Sequence, residues 1–64
     1  MNSELLEKLV SADYVELTVA RLQGRVSSVN PVLEMFVVDD ESHGATTVKF
    51  SQVDLTRDRI TTRL

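Results

Sequence analysis

The hydrophobic pattern of this chain changes period once, near residue 12, and that change limits the fold more than any other feature. Before it, apolar residues recur at helical spacing: they are Leu5, Leu6, Leu9 and Val10. From Tyr14 onward, apolar and polar residues alternate, which is typical of a strand with one buried face. The sequence therefore predicts one amphipathic helix, over about residues 3–12, followed by strands.

Turn-forming residues divide the remainder into five short strands. We expect the first strand at Tyr14–Val19 and a second strand that contains Val26 and Val29. The other three cover residues 33–38, 45–50 and 58–64, the last with Ile60 and Leu64 buried. Asn30-Pro31 and Ser42-His43-Gly44 mark turns, and residues 51–54 predict a single helical turn. Gly24 lies inside the second strand, where a missing side chain permits a bend or the close approach of another backbone. The fold class is mainly β with an N-terminal α-helix.

A chain of this length is expected to gain stability by association with other copies. Its 64 residues predict one domain, 1–64, and a domain of this size buries only about 60% of the surface of its unfolded chain. With no cysteine and a single histidine, His43, neither disulfides nor a zinc site built on thiolates or several imidazoles can add stability. Oligomerisation is the remaining common route, and short strands leave edges that another subunit can cover.

The charge pattern argues against indiscriminate binding to phosphate backbones. The formal net charge is -3, and the acidic residues include the central group Glu34, Asp39, Asp40 and Glu41. Arginines gather near the C-terminal end, where they form either a basic edge or solvated residues that keep a sheet edge soluble: Arg57, Arg59 and Arg63. No apolar run suits a membrane span and no signal peptide is evident, so we expect a cytoplasmic protein.

The segment "GRVSSVNPVLEMFVVDD", residues 24–40, resembles the Sm-like (LSm) family of small β-barrels. In that family, a strand with a bend-forming Gly leads to a turn that begins with Asp, and the next strand starts Met-Asn-Leu. Here Asn30 stands in the place of the Asp, and Leu33, Glu34 and Met35 replace Met-Asn-Leu. After Phe50 the chain has Ser-Gln where the family has Arg-Gly. A looser resemblance, to the YolD-like small bacterial proteins, rests on the spacing of Gly24, Val26, Val29, Val48, Phe50 and Val53.

The Sm-like resemblance implies a small five-stranded Sm-like (SH3-like) barrel that forms a ring and binds single-stranded RNA. The nucleic-acid site that it implies uses Asn30 and Glu34, with Arg57 and Arg59 as basic groups. Glu34 offers only acceptors and a negative charge where the family has an amide, so its base-reading turn is non-standard. The subunit interface would include Val48, Phe50 and Ile60, through pairing of the fourth strand with the fifth strand of the next subunit.

Two other classes of function remain open. In the first, this is a small acidic bacterial or phage protein that binds a partner protein as a regulator or inhibitor, steered by its central acidic group. In the second, and least expected, it is an enzyme. Ser27 and Ser28 have no base near them in the sequence and His43 falls in a turn, so we expect no catalytic residue. We also expect no metal and no cofactor, because the acidic group lacks the spacing of a calcium loop.

Overall fold

The computed structural model describes residues 3–63 and contains one helix followed by five strands. The elements are α1 Ser3–Val10, β1 Ala12–Leu17, β2 Leu22–Asn30, β3 Met35–Asp40, β4 Gly44–Lys49 and β5 Arg59–Thr62, with a 3-10 turn at Phe50–Gln52 before β5. The predicted class, mainly β with an N-terminal helix, is confirmed. Within residues 3–63, no helix has the length and apolar character needed to cross a membrane.

The strands form one antiparallel sheet in the order β4-β3-β2-β1-β5. Strands β1 to β4 follow each other as hairpins, and β5 returns to pair with β1 on the far side. In the described part of the chain, β4 and β5 do not pair, so the sheet is not closed as a barrel. They are its two edges, each with one neighbouring strand.

The core lies between α1 and the inner face of the sheet. Leu5 and Leu9 of α1 are buried, and because eight residues are too few for a stable isolated helix, this packing is what holds it. The sheet residues of the buried hydrophobic cluster alternate along their strands, as the period of two requires: they are Val15, Leu17, Phe36, Val38 and Val48, joined by Phe50. Half-buried Val53 and Ile60 pack against this core.

Gly24 lies where two backbones approach closely. A Cβ built on it would stand 1.9 Å from the carbonyl oxygen of Asp39 on β3. The pairing of β2 with β3 shifts by one residue between Val26 and Ser28, as in a β-bulge. The prediction of a close backbone approach at Gly24 is confirmed.

Two predicted boundaries near the N-terminus were wrong by two residues. The helix ends at Val10 rather than near residue 12, and β1 begins at Ala12. At its other end β1 stops at Leu17, so Val19 lies in the following turn and not in the strand. The reason is tertiary: the carboxylate of Asp58 accepts hydrogen bonds from the backbone N–H groups of Thr18 and Val19, at 2.7 and 3.5 Å. Leu64, predicted to be buried, lies outside the described residues.

The third strand also begins two residues later than predicted, at Met35. Leu33 and Glu34 belong to the preceding turn instead, and Glu34 has a positive φ of 53°. Asp39 and Asp40, predicted to follow the strand, are its last two residues. The strand begins later because the side chain of Asn30 accepts hydrogen bonds from the backbone of the turn. These bonds keep two residues of the apolar run in the turn.

Candidate binding surfaces

The turn between β2 and β3 is held at both ends by hydrogen bonds. The side-chain oxygen Oδ1 of Asn30 accepts from the backbone N–H groups of Val32 and Leu33, at 3.1 and 3.0 Å. At the other end, the carbonyl of Glu34 accepts from the N–H of Phe50, at 2.9 Å. Pro31 further restricts the backbone between them. The turn is therefore rigid, and it is fastened to the connection that follows β4.

This rigid turn exposes two large apolar side chains to solvent. Val32 is 86% exposed and Leu33 is 62% exposed, and we call this pair the apolar tip. Glu34, next to Leu33, is also exposed. Because the hydrogen bonds keep the tip away from the core of its own chain, these side chains are available to another molecule.

The four residues predicted to bind nucleic acid lie in two groups. Asn30 and Glu34 flank the apolar tip at the end of β2. Arg59, on β5, pairs with Glu16, which faces Gln23 at the opposite end of β2. Its guanidinium Nη1 lies 3.9 Å from the carboxylate of Glu16.

Arg57 belongs to this second group. Its backbone carbonyl accepts from the hydroxyl of Thr18, and its Nε lies 3.7 Å from the Asp54 carboxylate. Within one subunit the two arginines therefore do not join Asn30 and Glu34. In addition, Oδ1 of Asn30 already accepts hydrogen bonds from the backbone of the turn. A nucleic-acid role for these residues stays a prediction.

The residues predicted to form a subunit interface lie at or beside the two sheet edges. The side chains of Val48 and Phe50 are buried in the core, so a contact made by them would use the backbone. Ile60 on β5 is half-buried and faces Val15 of β1. Thr47 on β4 and Thr61 on β5 are exposed, and they point away from the core beside Val48 and Ile60.

Asp40 is the site where the sequence interpretation was most clearly wrong. Predicted as a solvated residue after a strand, it is 7% exposed and in β3. Its Oδ1 accepts from the backbone N–H of Gln23 at 2.7 Å. Its Oδ2 accepts from the N–H groups of Ser42 and His43, at 2.9 and 2.8 Å. The N–H of Gln23, together with the donors of His43 and Ser42, lowers the pKa of Asp40 to about 2.

The imidazole of His43 also contacts Asp40, with Nδ1 2.7 Å from Oδ2. The His43 side chain is otherwise exposed, at the rim of an open cleft of about 500 Å³ between the β1–β2 and β3–β4 turns. No hydroxyl in residues 3–63 is hydrogen-bonded to His43, so the structure offers no nucleophile activated by this pair.

The central acidic group does not form one continuous surface. Asp40 points inward, and Glu34 lies at the other end of β3. Glu41 accepts a short hydrogen bond from the hydroxyl of Tyr14, which raises the pKa of Tyr14. Asp39 is exposed but stands directly opposite Arg25 on β2. Among the described residues, no three His, Asp or Glu side chains converge as metal ligands would.

A second surface, which sequence reasoning missed, is a groove of about 270 Å³ between α1 and β2. Its lining combines apolar and polar residues: Leu9, Val10, Ala12, Val26 and Val29 together with Ser27, Ser28 and Arg63. Arg63 crosses the end of α1 and donates from Nη2 to the carbonyl of Val10, at 3.1 Å, a favourable place for a cation beside a helix C-terminus. The sequence places Val10 in the apolar stripe of α1, but only the structure shows that it is 55% exposed.

The fold and these surfaces define a small antiparallel β protein with one N-terminal helix, an apolar tip at one turn and two unpaired sheet edges. Comparisons of the chain with protein-family models, with curated proteins and with solved structures find no match. Its function must therefore be inferred from the geometry of the chain itself.

Proposed function

We propose that this protein is a non-enzymatic, Sm-like binding module that assembles with copies of itself, the free edge of β4 in one copy pairing with the free edge of β5 in the next. One observation carries this proposal: the open sheet has two edges, and the first five residues of the longer one, β4, have neither charge nor proline. The proposal also explains how so small a chain gains stability.

The edge of β4 is suited to accept another strand. Soluble proteins usually blunt an exposed edge with charges, proline or a bulge. From Gly44 to Val48, β4 has neither charge nor proline, its one charge is Lys49 at the end, and its pairing with β3 is regular throughout. Thr46, Thr47 and Val48 are β-branched, which favours a strand. The other edge, β5, begins with Arg59 and continues with the β-branched residues Ile60, Thr61 and Thr62.

Pairing of unlike edges determines the kind of assembly. Since β4 and β5 lie on opposite sides of the sheet, each copy can pair with two neighbours, which is a head-to-tail contact. Such contacts produce a closed ring when the rotation between copies closes. In this ring the sheet that is open in one chain continues into the next, as the Sm-like resemblance implies.

The resemblance also supplies the ligand in this proposal, single-stranded RNA, with Asn30 and Glu34 repeated around the ring. The mode of binding differs from that of the family. Oδ1 of Asn30 already accepts two backbone hydrogen bonds, and Glu34 can only accept. We therefore expect no preference for uridine-rich RNA over adenine-rich RNA. Binding measured at two salt concentrations should weaken with salt if phosphates contribute; no binding of either RNA at low salt would remove this part of the proposal.

Charge substitutions on the two edges test the assembly. Light scattering at micromolar concentration should give a mass well above the 7.2 kDa of one chain. Thr47→Lys on β4 and Thr61→Glu on β5 each place an exposed charge on one edge and should reduce that mass. In the double variant, an edge that carries Lys pairs with an edge that carries Glu at every β4–β5 contact, so the large assembly should return. A contact between two β4 edges would not be restored by the double variant.

Ser42→Lys is the matched control, because it adds the same charge to an exposed turn outside both edges. It should leave the mass unchanged. A wild-type protein that is monomeric at micromolar concentration would contradict the proposal.

The other candidate, capture of a basic partner surface by the central acidic group, has weaker support. Asp40 is buried, Glu41 is bonded to Tyr14, and Asp39 stands opposite Arg25. Only part of the charge that the sequence places there is available to a partner.

A further inference from the structure

We propose that the apolar tip of one copy fills the groove between α1 and β2 of a second copy, and that the two copies do this reciprocally. This contact uses neither edge of the sheet, so it is separate from the pairing of β4 with β5. Three features support it: the rigidity of the tip, the size and lining of the groove, and the charges beside each.

The tip is preorganised for binding to another molecule. Asn30 and Glu34 hold the turn from both ends, so ordering it costs little on binding. Val32 and Leu33 are nevertheless the two most exposed of the large apolar side chains identified as exposed in residues 3–63. A rigid turn that displays branched aliphatic side chains is suited to an apolar recess rather than to water.

The groove has the size of a side-chain recess. Its volume of about 270 Å³ is below the roughly 300–1,000 Å³ of typical small-molecule pockets. Val26 and Val29 give it half-buried apolar side chains and Val10 stands half exposed at its side, while Ser27 and Ser28 add polar groups to the lining. The three valines offer the contacts that aliphatic side chains such as Val and Leu need.

Opposite charges stand beside the two surfaces. Glu34 follows Leu33 directly, and no hydrogen bond or ion pair described within residues 3–63 uses its carboxylate. Arg63 borders the groove and uses one N–H of its guanidinium on the carbonyl of Val10. A guanidinium has five N–H donors, so Arg63 can also bind a carboxylate. With the tip in the groove, Glu34 of one copy can meet Arg63 of the other, and this charge complementarity favours a second copy as the occupant.

The positions of tip and groove suit a two-fold contact. Val26 and Val29 of the groove lie on β2, and the tip directly follows the end of that strand, so the two surfaces are adjacent in the chain. In a two-fold pair, each tip can fill the other copy's groove at the same time. Combined with the ring formed by the sheet edges, this contact joins two rings.

Light scattering on the full chain and its variants separates the two contacts. The double substitution V32S/L33S should halve the mass of the wild-type assembly, leaving one ring. Thr47→Lys should leave pairs of chains, with twice the 7.2 kDa mass of one chain. Combining all three substitutions should give monomers. Val19→Ser is the matched control, because Val19 is 52% exposed in a different turn, and it should keep the wild-type mass.

The charge pair provides a second, independent readout. Glu34→Arg and Arg63→Glu should each weaken the tip contact at least tenfold, measured on the Thr47→Lys background by dilution. The double variant E34R/R63E should restore most of the affinity. Damage to the end of α1 by Arg63→Glu could not be repaired by Glu34→Arg, because Glu34 lies in another turn of the same chain.

The outcomes that would overturn this proposal differ from those that would overturn the edge pairing. A monomeric Thr47→Lys variant, or a V32S/L33S variant with the wild-type mass, contradicts the tip contact. A wild-type protein that is a simple pair of chains, unchanged by Thr47→Lys and dissociated by V32S/L33S, supports the tip contact and removes the ring.

Discussion

Gly24 and Asp39 meet through their backbones, so closely that a Cβ on Gly24 would lie 1.9 Å from the Asp39 carbonyl oxygen. The glycine is in the middle of the sheet, paired with Val15 on one side and Asp40 on the other. No side chain of any size fits there unless the backbone of β2 or β3 moves.

Gly24→Ala should therefore be among the most damaging small substitutions in this chain. We expect it to lower the free energy of unfolding by about 3 kcal/mol or more, because the obstacle is a backbone carbonyl and not a flexible side chain. Urea unfolding followed by circular dichroism measures this change. Gly44→Ala is the control: it has space around it but a φ of +75°, so it should cost only about 1–2 kcal/mol. Equal losses would show that the close approach is unimportant.

Asp40 should make the protein sensitive to acid. Its pKa is lowered to about 2 in the folded state by the N–H of Gln23 and its other donors, against an ordinary value of 3.8. The stability it contributes is thus fully present above its unfolded pKa and is lost as the pH falls through its folded pKa. Asp54 acts in the same direction, since Thr56, first through its hydroxyl and then through its N–H, lowers its pKa.

The measurement is the urea midpoint between pH 2 and pH 7. The wild-type midpoint should fall steadily below about pH 5. The urea midpoint of Asp40→Asn should be lower than that of the wild type at pH 7 and should decrease less on acidification. Asp39→Asn alters the exposed neighbour, and its midpoint should depend on pH as the wild-type midpoint does. An Asp40→Asn variant with an unchanged slope would exclude Asp40 as the main source of acid sensitivity.

Asp58 should stabilise the turn after β1 from a distance of 40 residues in the sequence. Its carboxylate accepts from the N–H of Thr18 at 2.7 Å and from the N–H of Asp54 at 2.9 Å. Asp58→Ala leaves both N–H groups without this acceptor and should cost about 1–3 kcal/mol. Hydrogen exchange at the Thr18 amide should become faster, while exchange at the Phe50 amide should change only with global stability. A purely global change would argue that this bond does not order the turn.

Phe36 should be a principal source of core stability. It is buried, and its ring centroid is 6.1 Å from that of Phe50 at an angle of 45°. Phe36→Ala should lower the free energy of unfolding by about 3–5 kcal/mol, enough to unfold much of so small a domain. Phe36→Leu keeps most of the volume and should cost clearly less. Val19→Ala, at an exposed apolar position, should change stability by less than about 0.5 kcal/mol in thermal unfolding.

The features that could be predicted from the sequence depend on neighbouring residues. The stripe from Leu5 to Val10 predicted α1, and alternation around Val15 predicted β1, because both periods follow from backbone geometry. Asn30-Pro31 marked its turn for similar local reasons. Gly24 was singled out for a missing side chain, although its partner Asp39 could not be named.

The errors arose where a distant backbone group decided the outcome. Asp58 ends β1, and it comes from the connection before β5. Asp40 is buried because Gln23, 17 residues earlier, donates to it. A sequence signal did exist, since Asp40 shares the parity of Phe36 and Val38, but burial of a carboxylate is costly without donors, and the donors were not visible in the sequence.

The sequence by itself determined the helix, most of the strands and the turn at Asn30, because each depends on side-chain periodicity and local backbone preference. Only the tertiary structure decided that the sheet stays open with β4 and β5 at its edges. It also decided that Asp40 turns inward, and that Val32 and Leu33 stand exposed at a rigid turn beside Glu34. These features depend on which distant backbone groups meet, and hydrophobic spacing along the chain does not specify that.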